Sequence, residues 1–77
     1  MELLRQALVY VFPEADGGKL TLETKLADIP GWDSMTAVNV LVQLEEATGR
    51  GDLQLIFSGK LTIAHLVESL RAQGVAV

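Results

Sequence analysis

The chain has 77 residues, of which 49% are hydrophobic and 21% charged, and its formal net charge at pH 7 is −4. A chain of this length predicts one domain, residues 1–77, with a single small core, and its apolar content excludes a disordered chain. The absence of cysteine excludes disulfides, zinc–thiolate sites and a thiol nucleophile. The excess of acidic residues argues against nucleic acid as a partner, because phosphates would be repelled.

The apolar runs of the sequence are too short for a membrane span. The longest unbroken run, residues 7–12, is far below the roughly 18 residues that a spanning helix requires. The first residues, MELLR, lack the basic and apolar regions of a secretory signal. We therefore expect a cytoplasmic protein without a membrane span.

The first predicted element is an amphipathic helix over residues 2–12. Pro13 ends it, because the residue before a proline is pushed out of the helical region. At 100° per residue its apolar side chains fall on one face. They are Leu3, Leu4, Ala7, Leu8 and Val11.

A long connector, residues 13–33, follows the first helix. A loop of this length in a small domain is expected to be packed down or functional. The apolar residues that could pack it are Leu20, Leu22, Leu26 and Ile29.

Residues 34–48 are predicted as the central helix, with Asp33 as its N-cap and Gly49 as its left-handed C-cap. Apolar residues cover more than half of its circumference, which predicts neighbours on several sides. These residues are Met35, Ala37, Val38, Val40, Leu41, Val42 and Leu44. A polar stripe is formed by Thr36, Asn39, Gln43 and Glu46.

The last predicted helix spans residues 62–73, with Thr62 as N-cap and Gly74 after its end. Its apolar face is formed by Ile63, Leu66, Val67 and Leu70.

Residues 52–58 are the ambiguous part of the chain. Leu53, Leu55 and Phe57 alternate as in a strand, but a single strand has no partner, so we predict a short helical turn. The expected fold is all-α, a small bundle of three main helices plus one short helix, with a long loop between helices one and two.

Ser34 is the candidate for chemistry. It lies in the first turn of the central helix, with its hydroxyl facing out beside the positive end of the helix dipole, where a phosphate ester is favoured. An Asp-Ser pair is also typical of an ordinary helix start. What favours a function is its position between a long loop and a largely apolar helix.

Enzymatic and metal chemistry are poorly supported. His65 is the only histidine, it falls away from the apolar face of the last helix, and we predict no metal site. A triad of Ser34, His65 and an acid would lack the strand–elbow–helix pattern that aims a nucleophilic serine. We therefore predict a protein with no catalytic residues.

The features around Ser34 resemble the acyl carrier and peptidyl carrier proteins. Asp33-Ser34-Met35 is similar to the Asp-Ser-Leu signature that opens helix two of that family, and the apolar helix ends in Glu45-Glu46 as the family's does. Residues 26–32 resemble the loop that leads into the signature. Residues 61–66 resemble the start of the family's last helix, so the resemblance covers essentially the whole chain.

The resemblance implies that Ser34 carries 4′-phosphopantetheine, donated from coenzyme A by a phosphopantetheinyl transferase. The cofactor's thiol would hold an acyl or aminoacyl group as a thioester, supplied by a loading enzyme and passed to synthases of fatty-acid, polyketide or nonribosomal-peptide type. The implied docking residues are Asp33, Met35 and Asn39, with Met35 as the apolar anchor. We expect a monomer.

The mostly neutral polar stripe of the central helix favours a specialised carrier, since fatty-acid carriers are strongly acidic there. The alternative is an acidic helical protein-interaction domain without a prosthetic group. The two differ in whether Ser34 accepts phosphopantetheine.

Overall fold

The computed structural model describes residues 2–77, which form three α-helices. They are α1 (Glu2–Val11), α2 (Ser34–Thr48) and α3 (Ile63–Ala72). Two 3-10 turns, Gly17–Lys19 and Leu26–Asp28, lie in the connection between α1 and α2. The described residues include no strand, which confirms the all-α bundle with a long first loop. Within residues 2–77, every helix is too short or too polar to traverse a bilayer.

One core is shared by the three helices. The sides of α1 and α3 that contact this core are the ones predicted from periodicity, and α2 packs against α1. The buried helical residues are Leu4, Ala7 and Leu8 of α1, Ala37, Val40 and Leu44 of α2, and Ile63, Leu66, Val67 and Leu70 of α3.

The connector between α1 and α2 is packed down, as predicted. Its residues Leu20, Leu26 and Ile29 are buried, whereas Leu22 is exposed. Its backbone also completes the start of α3, because the N–H of Ile63 donates to the carbonyl of Thr24 at 2.9 Å. The backbone N–H groups of a first helical turn have no acceptor inside their own helix. The connector supplies a carbonyl as the acceptor.

The prediction of neighbours on several sides of α2 is wrong for one side. Met35, Val38 and Val42 are 83%, 52% and 43% exposed. The reason is the size of the domain, since a chain this short buries only about 60% of its surface. The segment expected to form a fourth helix does not cover this side either.

The predicted helical turn at residues 52–58 is absent, because the segment contains no helix. Its side chains alternate instead, with Leu53 buried, Gln54 exposed and Leu55 partly buried. The missing strand partner is replaced by a side chain. The N–H of Gln54 donates to Oε1 of Gln73 at 2.8 Å, and Nε2 of Gln73 donates to the carbonyl of Gln54 at 2.6 Å.

The end of α2 generates a stability prediction at Gly49, the C-cap, whose φ is 72°. Gly49→Ala places a Cβ in the left-handed region and should lower the free energy of unfolding by about 1 kcal/mol. Gly51 has no positive φ and open space around it. Gly51→Ala should therefore leave stability unchanged or raise it by up to about 1 kcal/mol. Urea denaturation measures both variants, and equal effects would contradict the role of the cap.

Candidate functional site

The start of α2 is fixed by Asp33, as the sequence predicts. Its backbone is extended, with φ −151° and ψ 124°, and its carboxylate accepts a hydrogen bond from the N–H of Met35 at 2.8 Å. The carbonyl of Asp33 accepts from the N–H of Ala37 at 2.8 Å. Asp33 is therefore the N-cap, and its carboxylate is used within its own turn.

The loop reaches this cap through a turn that requires glycine. Gly31 has a φ of 81°, in the left-handed region that glycine adopts at little cost. The N–H of Trp32 donates back to the carbonyl of Ile29 at 2.9 Å. Since Ile29 is buried, this turn attaches the residues before Ser34 to the core.

An aromatic cluster, Phe12, Trp32 and Phe57, supports the same loop. The ring centroid of Trp32 lies 5.5 Å from that of Phe12 and 6.4 Å from that of Phe57. Tilted ring pairs at these distances are favourable. Sequence reasoning missed the cluster because its members come from three distant parts of the chain.

Ser34 is exposed and is the first residue of α2. Among residues 2–77, its hydroxyl makes no hydrogen bond, and the backbone N–H groups of Ser34 and Thr36 have no acceptor. The site therefore offers a free hydroxyl next to two free amides at the positive end of a helix. This arrangement suits a phosphate ester on the hydroxyl.

The surface that extends from Ser34 along α2 is apolar. Met35, Val38 and Val42 follow one another at spacings of three and four, which aligns them on one side of the helix. We call these three residues the α2 stripe. Asn39, exposed beside them, is the third of the predicted docking residues. Asp33, Met35 and Asn39 are thus exposed and lie within two turns of one helix end.

The sequence predicted neighbours on several sides of α2, but the spacing of its apolar residues also indicates two separate rows. The buried residues Ala37, Val40 and Leu44 have the same spacing as the stripe but are displaced by two positions. Two positions rotate a side chain by about 200° around a helix. The two apolar sets therefore lie on opposite sides, and a small domain covers only one of them.

His65 and Ser34 make no hydrogen bond with each other among residues 2–77. The ring nitrogen Nδ1 of His65 accepts from the N–H of Thr62 at 3.3 Å and lies 3.0 Å from the Thr62 hydroxyl. The imidazole thus helps to cap the start of α3. Residues 2–77 also contain no group of three potential metal ligands.

The clearest electrostatic pair is Arg50–Asp52, just beyond the C-terminus of α2. Hydrogen bonding by the Arg50 guanidinium lowers the pKa of the Asp52 carboxyl, and the same bond raises the pKa of Arg50. A helix of the length of α2 separates its ends by about 20 Å. The pair therefore takes no part in chemistry at Ser34.

Comparisons with protein-family models, with curated protein sequences and with solved structures gave no match. The residues at the start of α2 and their geometry are therefore the basis on which a function is proposed.

The cap at Asp33 yields a prediction that separates its structural role from any partner contact. Asp33→Ala should lower the free energy of unfolding by about 1 kcal/mol, because the N–H of Met35 loses its acceptor. Asp33→Asn keeps a side-chain oxygen at the same place and should keep most of the stability. Thermal or urea denaturation compares the two variants. Equal losses in both would show that the cap bond does not stabilise α2.

Proposed function

We propose that the chain is a carrier protein whose Ser34 hydroxyl is esterified by 4′-phosphopantetheine from coenzyme A. The observation that supports this most is the Ser34 side chain, which is exposed at the N-terminus of a helix and whose hydroxyl makes no hydrogen bond among residues 2–77. The neighbouring carboxylate of Asp33 is turned to the N–H of Met35. The hydroxyl is therefore accessible to a transferase.

The residues present fit the prosthetic group. The free N–H groups of Ser34 and Thr36 and the helix dipole favour an anionic phosphate at this position. When bound, the group supplies a thiol on a flexible arm, which holds an acyl or aminoacyl cargo as a thioester. The chain's own part is to present the hydroxyl and a docking surface, so it acts as a substrate of its partners rather than as an enzyme.

The proposed partners are a phosphopantetheinyl transferase, a loading enzyme and downstream synthases of fatty-acid, polyketide or nonribosomal-peptide type. Their proposed docking surface comprises Asp33, Met35 and Asn39, extended along the helix by Val38 and Val42. Met35 is the anchor, because it is 83% exposed and adjacent to Ser34. Methionine is among the residues enriched at the core of protein–protein interfaces.

The second candidate is an acidic helical protein-interaction domain without a prosthetic group. The α2 stripe supports it independently of Ser34, since an aligned row of exposed apolar side chains marks an interaction surface in a soluble domain.

Modification of Ser34 distinguishes the two candidates. The chain is incubated with coenzyme A, magnesium and a broad-specificity phosphopantetheinyl transferase, and its intact mass is measured. We expect the mass to rise by one phosphopantetheine in the unaltered chain and in Ser58→Ala, and to stay unchanged in Ser34→Ala. Ser58 is a matched control, because it is a serine in a loop and not in the first turn of a helix.

The Ser34→Ala variant should fold as the parent does, since its hydroxyl makes no hydrogen bond within residues 2–77. A folded parent chain that gains no mass would favour the interaction domain. A mass gain that persists in Ser34→Ala would place the modification elsewhere.

The docking surface is tested by the rate of the same modification. Met35→Ala should slow it about tenfold, the loss expected when an anchor worth on the order of 1 to 2 kcal/mol is truncated. Tyr10→Ala is the control, because Tyr10 is 72% exposed but belongs to α1. Similar rates for the two variants would argue against Met35 as the anchor.

A further inference from the structure

The segment between α2 and α3 is attached to the rest of the molecule at few points. Leu53 anchors it in the core, and residues 59–61 anchor it again, because the carbonyl of Leu61 accepts from the N–H of Leu26 at 2.9 Å. Residues 54–57, which we call the strap, lie between these anchors. Of their four backbone N–H groups, only that of Gln54 has an acceptor within residues 2–77.

That one backbone attachment is made by the side chain of Gln73. Its amide accepts from the N–H of Gln54 at 2.8 Å and donates to the carbonyl of Gln54 at 2.6 Å. The same side-chain amide donates to the carbonyl of Ser69 in α3 at 3.0 Å, and this hydrogen bond orients the amide. Gln73 is the C-cap residue of α3, and its own carbonyl accepts from Arg50. The amide therefore has a fixed position from which it holds the strap.

Apolar packing of the strap is incomplete. Leu55 and Phe57 pack against the core but are only partly buried, and Ile56 is 74% exposed. Open grooves run between the strap and α3 on both sides of Ile56, and Ser69 lines both of them. Segments with few buried contacts and few backbone hydrogen bonds open locally at a small cost in free energy.

The far end of the strap touches the loop that carries Ser34. The ring of Phe57 lies 6.4 Å from that of Trp32, which is two residues before Ser34. Trp32 packs on its other neighbour, Phe12, at 5.5 Å. A displacement of the strap would thus remove one of the two aromatic neighbours of Trp32.

We propose that the strap opens as a unit without global unfolding, that the Gln73 amide is its latch, and that opening is transmitted through Phe57 to Trp32. The strap is thus a conformational device that connects the C-terminus of α3 to the loop before Ser34. It does not depend on the carrier function, and its test requires no modification of Ser34.

Amide hydrogen exchange of the full chain, followed by NMR, tests the latch. In the parent chain, the Gln54 amide should exchange more slowly than those of Leu55, Ile56 and Phe57 after correction for intrinsic rates. In Gln73→Ala, the Gln54 amide should exchange about tenfold faster, the factor expected for one lost hydrogen bond. The amides of Val40 and Leu44 in the core should keep their rates.

The matched control is Gln54→Ala. The latch uses only the backbone of residue 54, so this variant should keep the slow exchange at that position. An unchanged rate at Gln54 in Gln73→Ala would overturn the latch. Equal acceleration of the strap and of the α2 core would overturn local opening, because it would indicate a loss of global stability.

Fluorescence tests the link to Trp32, the only tryptophan in the chain. Gln73→Ala should shift its emission to longer wavelength, because an open strap admits water to one side of the indole, and Gln54→Ala should not. An unchanged spectrum in Gln73→Ala, with faster exchange at Gln54, would overturn the transmission to Trp32.

Discussion

The burial of one side of α2 is the constraint on which the functional surface depends. Ala37, Val40 and Leu44 enter the shared core and are fully buried, which sets the rotation of the helix about its axis. Once this side faces inward, Met35, Val38 and Val42 must face outward. Because these side chains stay exposed, the fold does not gain the roughly 25 cal/mol of stabilisation per Å² that burial of their apolar surface would provide. A chain of this length does not contain enough material to cover both sides.

The connector between α1 and α2 has two structural tasks. It supplies carbonyls to the first amides of α3, and it carries Trp32 and the cap residue Asp33 to the start of α2. Its own backbone is stabilised by short 3-10 turns and by buried side chains such as Leu26 and Ile29. The length of the loop thus serves to tie α3 to the start of α2. Ser34 is therefore presented from an anchored position, with its hydroxyl free of partners within residues 2–77.

The two candidate functions use the same surface and differ only in chemistry. An interaction domain needs the exposed apolar row of α2 and nothing else. A carrier needs in addition a reachable hydroxyl in a setting that tolerates a phosphate, and Ser34 with its free amides provides both. The proposal of a carrier accounts for more of the observed features, because it explains the coincidence of the free serine and the stripe at one end of one helix.

Much of this protein was determined by short-range chemistry in the sequence. The three helices, the N-cap at Asp33 and the left-handed C-cap at Gly49 follow from periodicity and from the local preferences of capping residues, and the candidate Ser34 follows from its position after the cap. The exposure of Val38 and Val42 was decided by tertiary structure, since an apolar pattern does not state how many neighbours are present to cover it. The path of residues 52–58 was decided there as well. Whether residues 52–58 form a helix or an extended segment depends on a hydrogen-bond partner for the backbone of Gln54. That partner is the amide of Gln73, nineteen positions away along the chain, and only folding brings it within hydrogen-bonding distance.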